Sequence, residues 1–76
     1  MQELVTFIAR SLVDQPDTVT VVVNEDGDNL NVELTVAPDD LGKVIGKQGR
    51  TARAMRAVLA AAAAKENKRS RLEIIE

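Results

Sequence analysis

Met1, Val5, Ile8 and Leu12 recur at steps of four, three and four residues, with Leu4 and Phe7 widening the stripe. That spacing predicts an amphipathic helix over 2–14 with one face turned inward. Gln15-Pro16-Asp17 ends it, because proline disfavours helical geometry in the residue before it. Residues 19–23 are β-branched at every position and predict a strand. Glu25-Asp26-Gly27-Asp28-Asn29 reads as a turn. Beyond it, Leu30, Val32, Leu34 and Val36 alternate with Asn31, Glu33 and Thr35, the period of a strand with one buried and one wet face. The two runs together predict an antiparallel hairpin.

Ala37-Pro38-Asp39-Asp40 has the chemistry of a helix start. Proline pre-sets φ there, and the carboxylates of Asp39 and Asp40 suit the positive end of a helix dipole. A short helix over 39–45 follows, carrying Leu41, Val44 and Ile45 inward and stopping near Gly46. After Gly46-Lys47-Gln48-Gly49, a long helix is predicted over 50–66. Its inner face is Ala52, Met55, Leu59 and Ala62 with Val58 alongside, and the alanine run 60–64 adds helix propensity. Asn67-Lys68-Arg69-Ser70 breaks the pattern, and Leu72, Ile74 and Ile75 mark a closing strand over 71–76. The expected fold is α+β, one domain over 1–76, with three helices packed on one face of a three-stranded sheet.

Composition narrows the chemistry. Cysteine is absent, which removes disulfides, thiolate metal sites and cysteine nucleophiles, and histidine is absent too, which removes the commonest general base. No nucleophile–base pair is evident, so no enzymatic activity, metal or other cofactor is expected. Phe7 is the only aromatic residue, so bases cannot stack on a platform of rings. No apolar run approaches the roughly 20 residues of a membrane span, and Met1-Gln2-Glu3 lacks the basic start of a secretory signal; a cytoplasmic location is expected.

The net charge of −2 hides a division along the chain. Nine acids against Arg10 leave −8 over residues 1–42, whereas nine bases against three acids leave +6 over 43–76. A clustered basic segment makes its own local field, favourable to a polyanion despite the overall sign. It begins at Gly42-Lys43-Val44-Ile45-Gly46-Lys47-Gln48-Gly49-Arg50-Thr51. A nucleotide P-loop fails here, since only three residues separate Gly42 from Gly46-Lys47 and Gln48 follows where a hydroxyl is needed. The dinucleotide fingerprint fails as well, for want of its glycine spacing in a parallel βαβ unit. What remains is a Gly-x-x-Gly turn between two helices. Glycines there let another backbone approach, the following helix aims free N–H groups and a positive dipole end at the turn, and Lys47 and Arg50 add full charges. A phosphodiester backbone fits such a site.

Val44-Ile45-Gly46-Lys47-Gln48-Gly49-Arg50-Thr51, with the element order αββααβ, resembles the KH domain, a single-stranded nucleic-acid-binding fold, in its type II arrangement. Over essentially its whole length the chain is similar to the small stand-alone bacterial KH proteins, the KhpA or YlqC-like group. The resemblance implies a loop that clamps the backbone of about four nucleotides, with Gly46 and Gly49 admitting it and Lys47 and Gln48 as the variable pair. It implies phosphate contacts from Lys43, Arg50 and Arg53. It also implies an apolar groove for bases, lined by Val44 and Ile45 with side chains of the second strand such as Leu34 or Val36. Without aromatic rings, binding of single-stranded RNA is expected to be weak and sequence-tolerant, as for an RNA chaperone or post-transcriptional regulator. Homodimers, or a second KH-containing partner of the KhpB or Jag group, are implied likewise.

Several residues carry two readings. Val44 and Ile45 serve the core or the bases. Arg56 drifts around the helix from Arg50 and Arg53 and reads as a solvated charge. Lys65, Lys68, Arg69 and Arg71 suit a helix C-terminus and solubility. Ala57, Ala60, Ala61 and Ala64 either express helix propensity alone or leave a flank thin enough for another helix, in which case the chain is a protein-interaction subunit.

Overall fold

The computed structural model describes residues 1–75; the end of the predicted closing strand, Glu76, lies outside the described residues. Helix α1 spans Gln2–Leu12, β1 Thr20–Asp26, β2 Asn29–Thr35, α2 Leu41–Ile45, α3 Arg50–Ala64 and β3 Arg69–Ile75, with 3₁₀ turns at Pro16–Thr18, Pro38–Asp40 and Lys47–Gly49. The expected αββααβ order and the α+β class hold.

Strand order is β1-β2-β3. β1 pairs antiparallel with β2 from Thr20 opposite Thr35 to Asp26 opposite Asn29. β2 pairs parallel with β3 from Asn29 beside Arg69 to Thr35 beside Ile75. A parallel neighbour demands a crossover, and α2, its following turn and α3 supply it. The crossover carries the glycine turn to the β3 side of the sheet. Leu30, Val32 and Leu34 point inward from the central strand, where Val32 and Leu34 pack with Val5 and Ala9 of α1, Val44 of α2 and Leu59 of α3.

Several boundaries and faces differ from expectation. α1 stops at Leu12 because Val13 is already extended, with φ −99° and ψ 160°. Its buried residues are Val5 and Ala9; Phe7, read as part of the inward stripe, is 71% exposed. Two residues from Val5 is about 200° around a helix, the far side. On α3, Ala63 is buried where Ala62 was expected, because steps of three, four and four from Ala52 stay on one face. Val58 is exposed rather than alongside the core. β3 begins two residues early because the Arg69 N–H bonds Asp28 O at 2.8 Å, a backbone contact that no apolar pattern announces.

Among the described residues, Asp40 is the one buried charged residue. It stands at the N-cap position of α2, at the positive end of the helix dipole, without making a side-chain capping hydrogen bond there. Its carboxylate instead accepts the N–H groups of Asp14 (3.2 Å) and Gln15 (2.9 Å), with Lys43 Nζ at 3.8 Å. Lys43 also pairs with Asp14. The cluster ties the exit of α1 to the start of α2 and so fixes where α2 delivers the glycine turn. Asp40→Ala strands two donors and is expected to cost about 1–3 kcal/mol, read as a lower urea midpoint with an unchanged m-value. The hydrogen bond to Asp14, with the charges of Asp14 and Asp40, raises the Lys43 pKa above 10.5. A raised lysine stabilises the fold below its unfolded pKa, so this contribution is complete at neutral pH and disappears only as pH climbs through the raised value.

Candidate nucleic-acid interface

α2 ends on a hydrogen bond from Gly46 N to Gly42 O at 2.8 Å. Gly46 then takes φ 77°, ψ 172°, Gln48 φ 57°, ψ 25°, and Gly49 φ 73°, ψ 14°, before α3 opens at Arg50. Three left-handed residues in four reverse the chain tightly enough to set two helices nose to tail. The two glycines serve different ends. A Cβ on Gly46 would stand 2.7 Å from Thr51 Cβ and 2.9 Å from Thr51 N, and would strike the Thr51 hydroxyl. The close neighbour there is the chain's own α3, not an incoming strand as expected. A Cβ on Gly49 would meet nothing within 4 Å. Of the two, only Gly49 has open space beside its Cα.

Around this corner Lys47, Gln48, Arg50 and Arg53 are exposed. Arg53 Nη2 donates to Gln48 O at 3.0 Å, and Arg50 Nη2 to Gln48 Oε1 at 3.3 Å. The guanidinium of Arg53 thus braces the carbonyl of a non-glycine residue in left-handed geometry while keeping other N–H groups outward. No side chain caps the N-terminus of α3. Among the described residues the ion pairs are Lys43–Asp14, Lys43–Asp40 and Lys68–Glu25. The fold therefore neutralises Lys43, expected at a phosphate, and Lys68 at the acidic hairpin, while Lys47, Arg50, Arg53 and Arg56 keep unopposed charge.

The groove beside the loop has a different wall from the one expected. Leu34 and Val44 have no exposed surface and Val36 has 2%, so all three are core and Val44 offers no surface to a ligand, whereas Ile45 is 37% exposed. The groove runs from Ile45, Gln48 and Gly49 past Ala52, Arg53 and Arg56 to Leu72, Glu73 and Ile74. Its far side is β3, an edge strand. Ile75 O accepts from Val36 N at 3.2 Å, whereas Leu72 O accepts from Arg56 Nη2 at 3.5 Å. The alternation of a parallel ladder therefore turns the backbone groups of Leu72 and Ile74 to the open edge. An aliphatic floor lies between guanidinium groups on one side and peptide donors and acceptors on the other. Arg56, read as solvated, and Leu72 and Ile74 were missed because nothing local reveals that β3 is the edge. Replacing Arg53 with Met keeps its bulk but removes the brace, and is expected to broaden the amide resonances of residues 46–49 with a small change in Tm.

On the open sheet face, Glu33 and Glu73 stand side by side in register, with Arg71 beside them, and Glu73 also reaches the rim of the groove. Ala57, Ala60, Ala61 and Ala64 are all exposed, next to Val58 at 44%.

Residues 2–74 match the family model for the KH domain of KhpA/KhpB. The chain is 58% identical to the RNA-binding protein KhpA of Halalkalibacterium halodurans over 76 residues, all of both chains. It is 56% identical to that of Clostridium acetobutylicum over 75 residues, 99% of this chain and 100% of the relative. With the KhpA of Borreliella burgdorferi it shares 49% over 74 residues, 97% of this chain and 90% of the relative. No solved structure matches the chain. A type II-like αββααβ order, a glycine turn between two helices and a full-length match converge: the chain belongs to the KhpA/KhpB family of KH domains.

Proposed function

We propose that this chain is a non-catalytic RNA-binding module of the cytoplasm that grips short single-stranded RNA at its glycine turn. One observation carries the reading: the corner at Gly49 is uncovered and ringed by Lys47, Arg50 and Arg53, none of them ion-paired among the described residues. Phosphates lie against the turn and the N-terminus of α3. Bases enter the groove between α3 and β3, against Ile45 and Ile74. Aliphatic side chains and backbone groups discriminate weakly, which suits an RNA chaperone or a post-transcriptional regulator. The relatives carry the printed description of RNA-binding proteins. The absence of histidine and cysteine agrees with binding without catalysis.

The test is fluorescence anisotropy with a short single-stranded RNA at several salt concentrations. Affinity is expected to fall with salt at a log–log slope of about −0.7 per phosphate contacted. Arg50→Ala should flatten the slope by about one such contact. Absence of binding, or binding indifferent to salt, contradicts the reading.

A second reading rests on the exposed alanine flank with Val58. There the chain joins a second copy, or another KH-containing protein such as one of the KhpB group, through α3, with RNA binding secondary. Ala61→Glu then lowers the sedimentation coefficient of the assembly and leaves RNA affinity per chain unchanged.

A further inference from the structure

Three cations gather at the end of the α3–β3 seam remote from the glycine turn. Lys65 stands at the C-cap of α3, and Arg69 and Arg71 open β3. All three are exposed, and among the described residues none forms an ion pair. Lys68 differs, because Glu25 holds it at 2.6 Å. A place at a helix C-terminus gives Lys65 a favourable dipole, but it gives Arg69 and Arg71 nothing.

The cluster adjoins the groove. Arg56 reaches Leu72 O, whereas Lys68 N bonds Ala63 O at 2.9 Å, so α3 and β3 run antiparallel and their seam continues past Arg56. Ala60 and Ala64 lie four and eight residues after Arg56, on the same face of the helix. Both are exposed and add no bulk or charge. On the strand side, Ser70 turns its backbone groups to the open edge by the same alternation as Leu72 and Ile74. The seam is thus an unobstructed channel running about 14 Å along α3 from Arg56 to Lys65. Arg69 and Arg71 alternate with the buried Leu72 and so rise on the open sheet face, just over that edge. Asn29 and Asn31 stand beside them in register. With Asp26 and Ser70 they frame a polar depression, two guanidinium groups against one carboxylate.

We propose that Lys65, Arg69 and Arg71 form a second phosphate-binding station for the same strand, reached by RNA that leaves the groove past Arg56 and crosses the β3 edge. The inference rests on the reading that the strand is gripped at the glycine turn. A loop of this kind clamps about four nucleotides, which leaves the far cations to a longer strand. The alanine flank keeps the passage open, and the edge amides of β3 offer donors and acceptors along it. Affinity therefore grows with RNA length through added phosphate contacts, without any gain in sequence discrimination.

Fluorescence anisotropy of the full chain with two unstructured RNAs, one of about four nucleotides and one about three times as long, tests this at several salt concentrations. The longer RNA is expected to bind about tenfold more tightly, with a log–log salt slope steeper by about 2, three contacts at about 0.7 each. Extra registers on a longer strand also raise affinity, but they do not steepen the slope. Replacing Lys65, Arg69 and Arg71 together with Gln should return the slope for the longer RNA to that of the short one and leave short-RNA binding unchanged. Arg50→Ala, by contrast, should weaken both. A thermal melt of the triple variant near that of the wild type shows that the fold is kept. Equal slopes for the two lengths in the wild type, or a folded triple variant with the wild-type slope, overturn the second station alone. Failure of the short RNA to bind overturns the grip at the turn and the second station with it.

Discussion

Gly46→Ala is expected to cost the domain at least about 3 kcal/mol, while Gly49→Ala costs less than that and yet impairs RNA binding. The first substitution asks an L-residue to hold φ 77°, ψ 172°, a conformation that costs on the order of 1–3 kcal/mol outside glycine. It also drives a Cβ onto the backbone and side chain of Thr51, so the first turn of α3 must move. The sum is at least about 3 kcal/mol, against a total of about 4–11 kcal/mol for a domain of this size. In a thermal melt, Tm should fall by about 12 °C or more. Gly49 has φ 73° and ψ 14° with open space beyond it, so alanine there costs about 1–2 kcal/mol. Its new methyl stands where a strand would lie, and RNA affinity should drop about tenfold. Equal destabilisation by both substitutions would contradict this division.

That division was hidden in the sequence, and the reason is physical. The residue pattern carried the elements well: a β-branched run for β1, strict alternation for β2, a proline before α2 and alanines through α3. All are local or periodic signals. It also located the turn and its cations, because glycines and charges are visible one residue at a time. What it missed depends on contacts between distant segments. Thr51 fills the space beside Gly46 only once α3 folds back, and Asp40 reaches across to the N–H groups of Asp14 and Gln15 only once α1 is docked. Leu34 and Val36 were expected to line the groove because they are apolar strand residues, but Leu34 lies on the covered face of the central strand and Val36 is buried just beyond its end. The wall is β3, whose edge position follows from strand order alone. Val44 and Ile45 are adjacent apolar residues, and only helix docking separates the buried one from the exposed one.

Changing Lys47 and Gln48 together to Asp is expected to reduce affinity for single-stranded RNA about a hundredfold with the fold intact. Lys47→Asp removes two units of positive charge and Gln48→Asp one more, taking the formal net charge from −2 to −5. All of that change falls at the turn. Both side chains are exposed, and surface substitutions of this kind usually shift stability by about 0.5 kcal/mol or less. Gln48 sits at φ 57°, a region that Asp tolerates better than most side chains. The new carboxylate also stands where Arg50 now reaches Gln48 Oε1 and can hold that guanidinium away from phosphate. Anisotropy and a thermal melt on the same preparation check both halves of the expectation. Unchanged affinity in a folded double variant would move the binding site elsewhere.

Amide NMR titration of the ¹⁵N-labelled chain with a short single-stranded RNA reads the location of the bound strand directly. The largest shifts are expected at residues 45–53 and at Leu72 and Ile74, the turn and the two sides of the groove, with α1 and the β1–β2 hairpin tip unmoved. Shifts confined to the basic residues 65–71 or to the open sheet face, with Gly49 silent, would contradict a strand seated on the glycine turn.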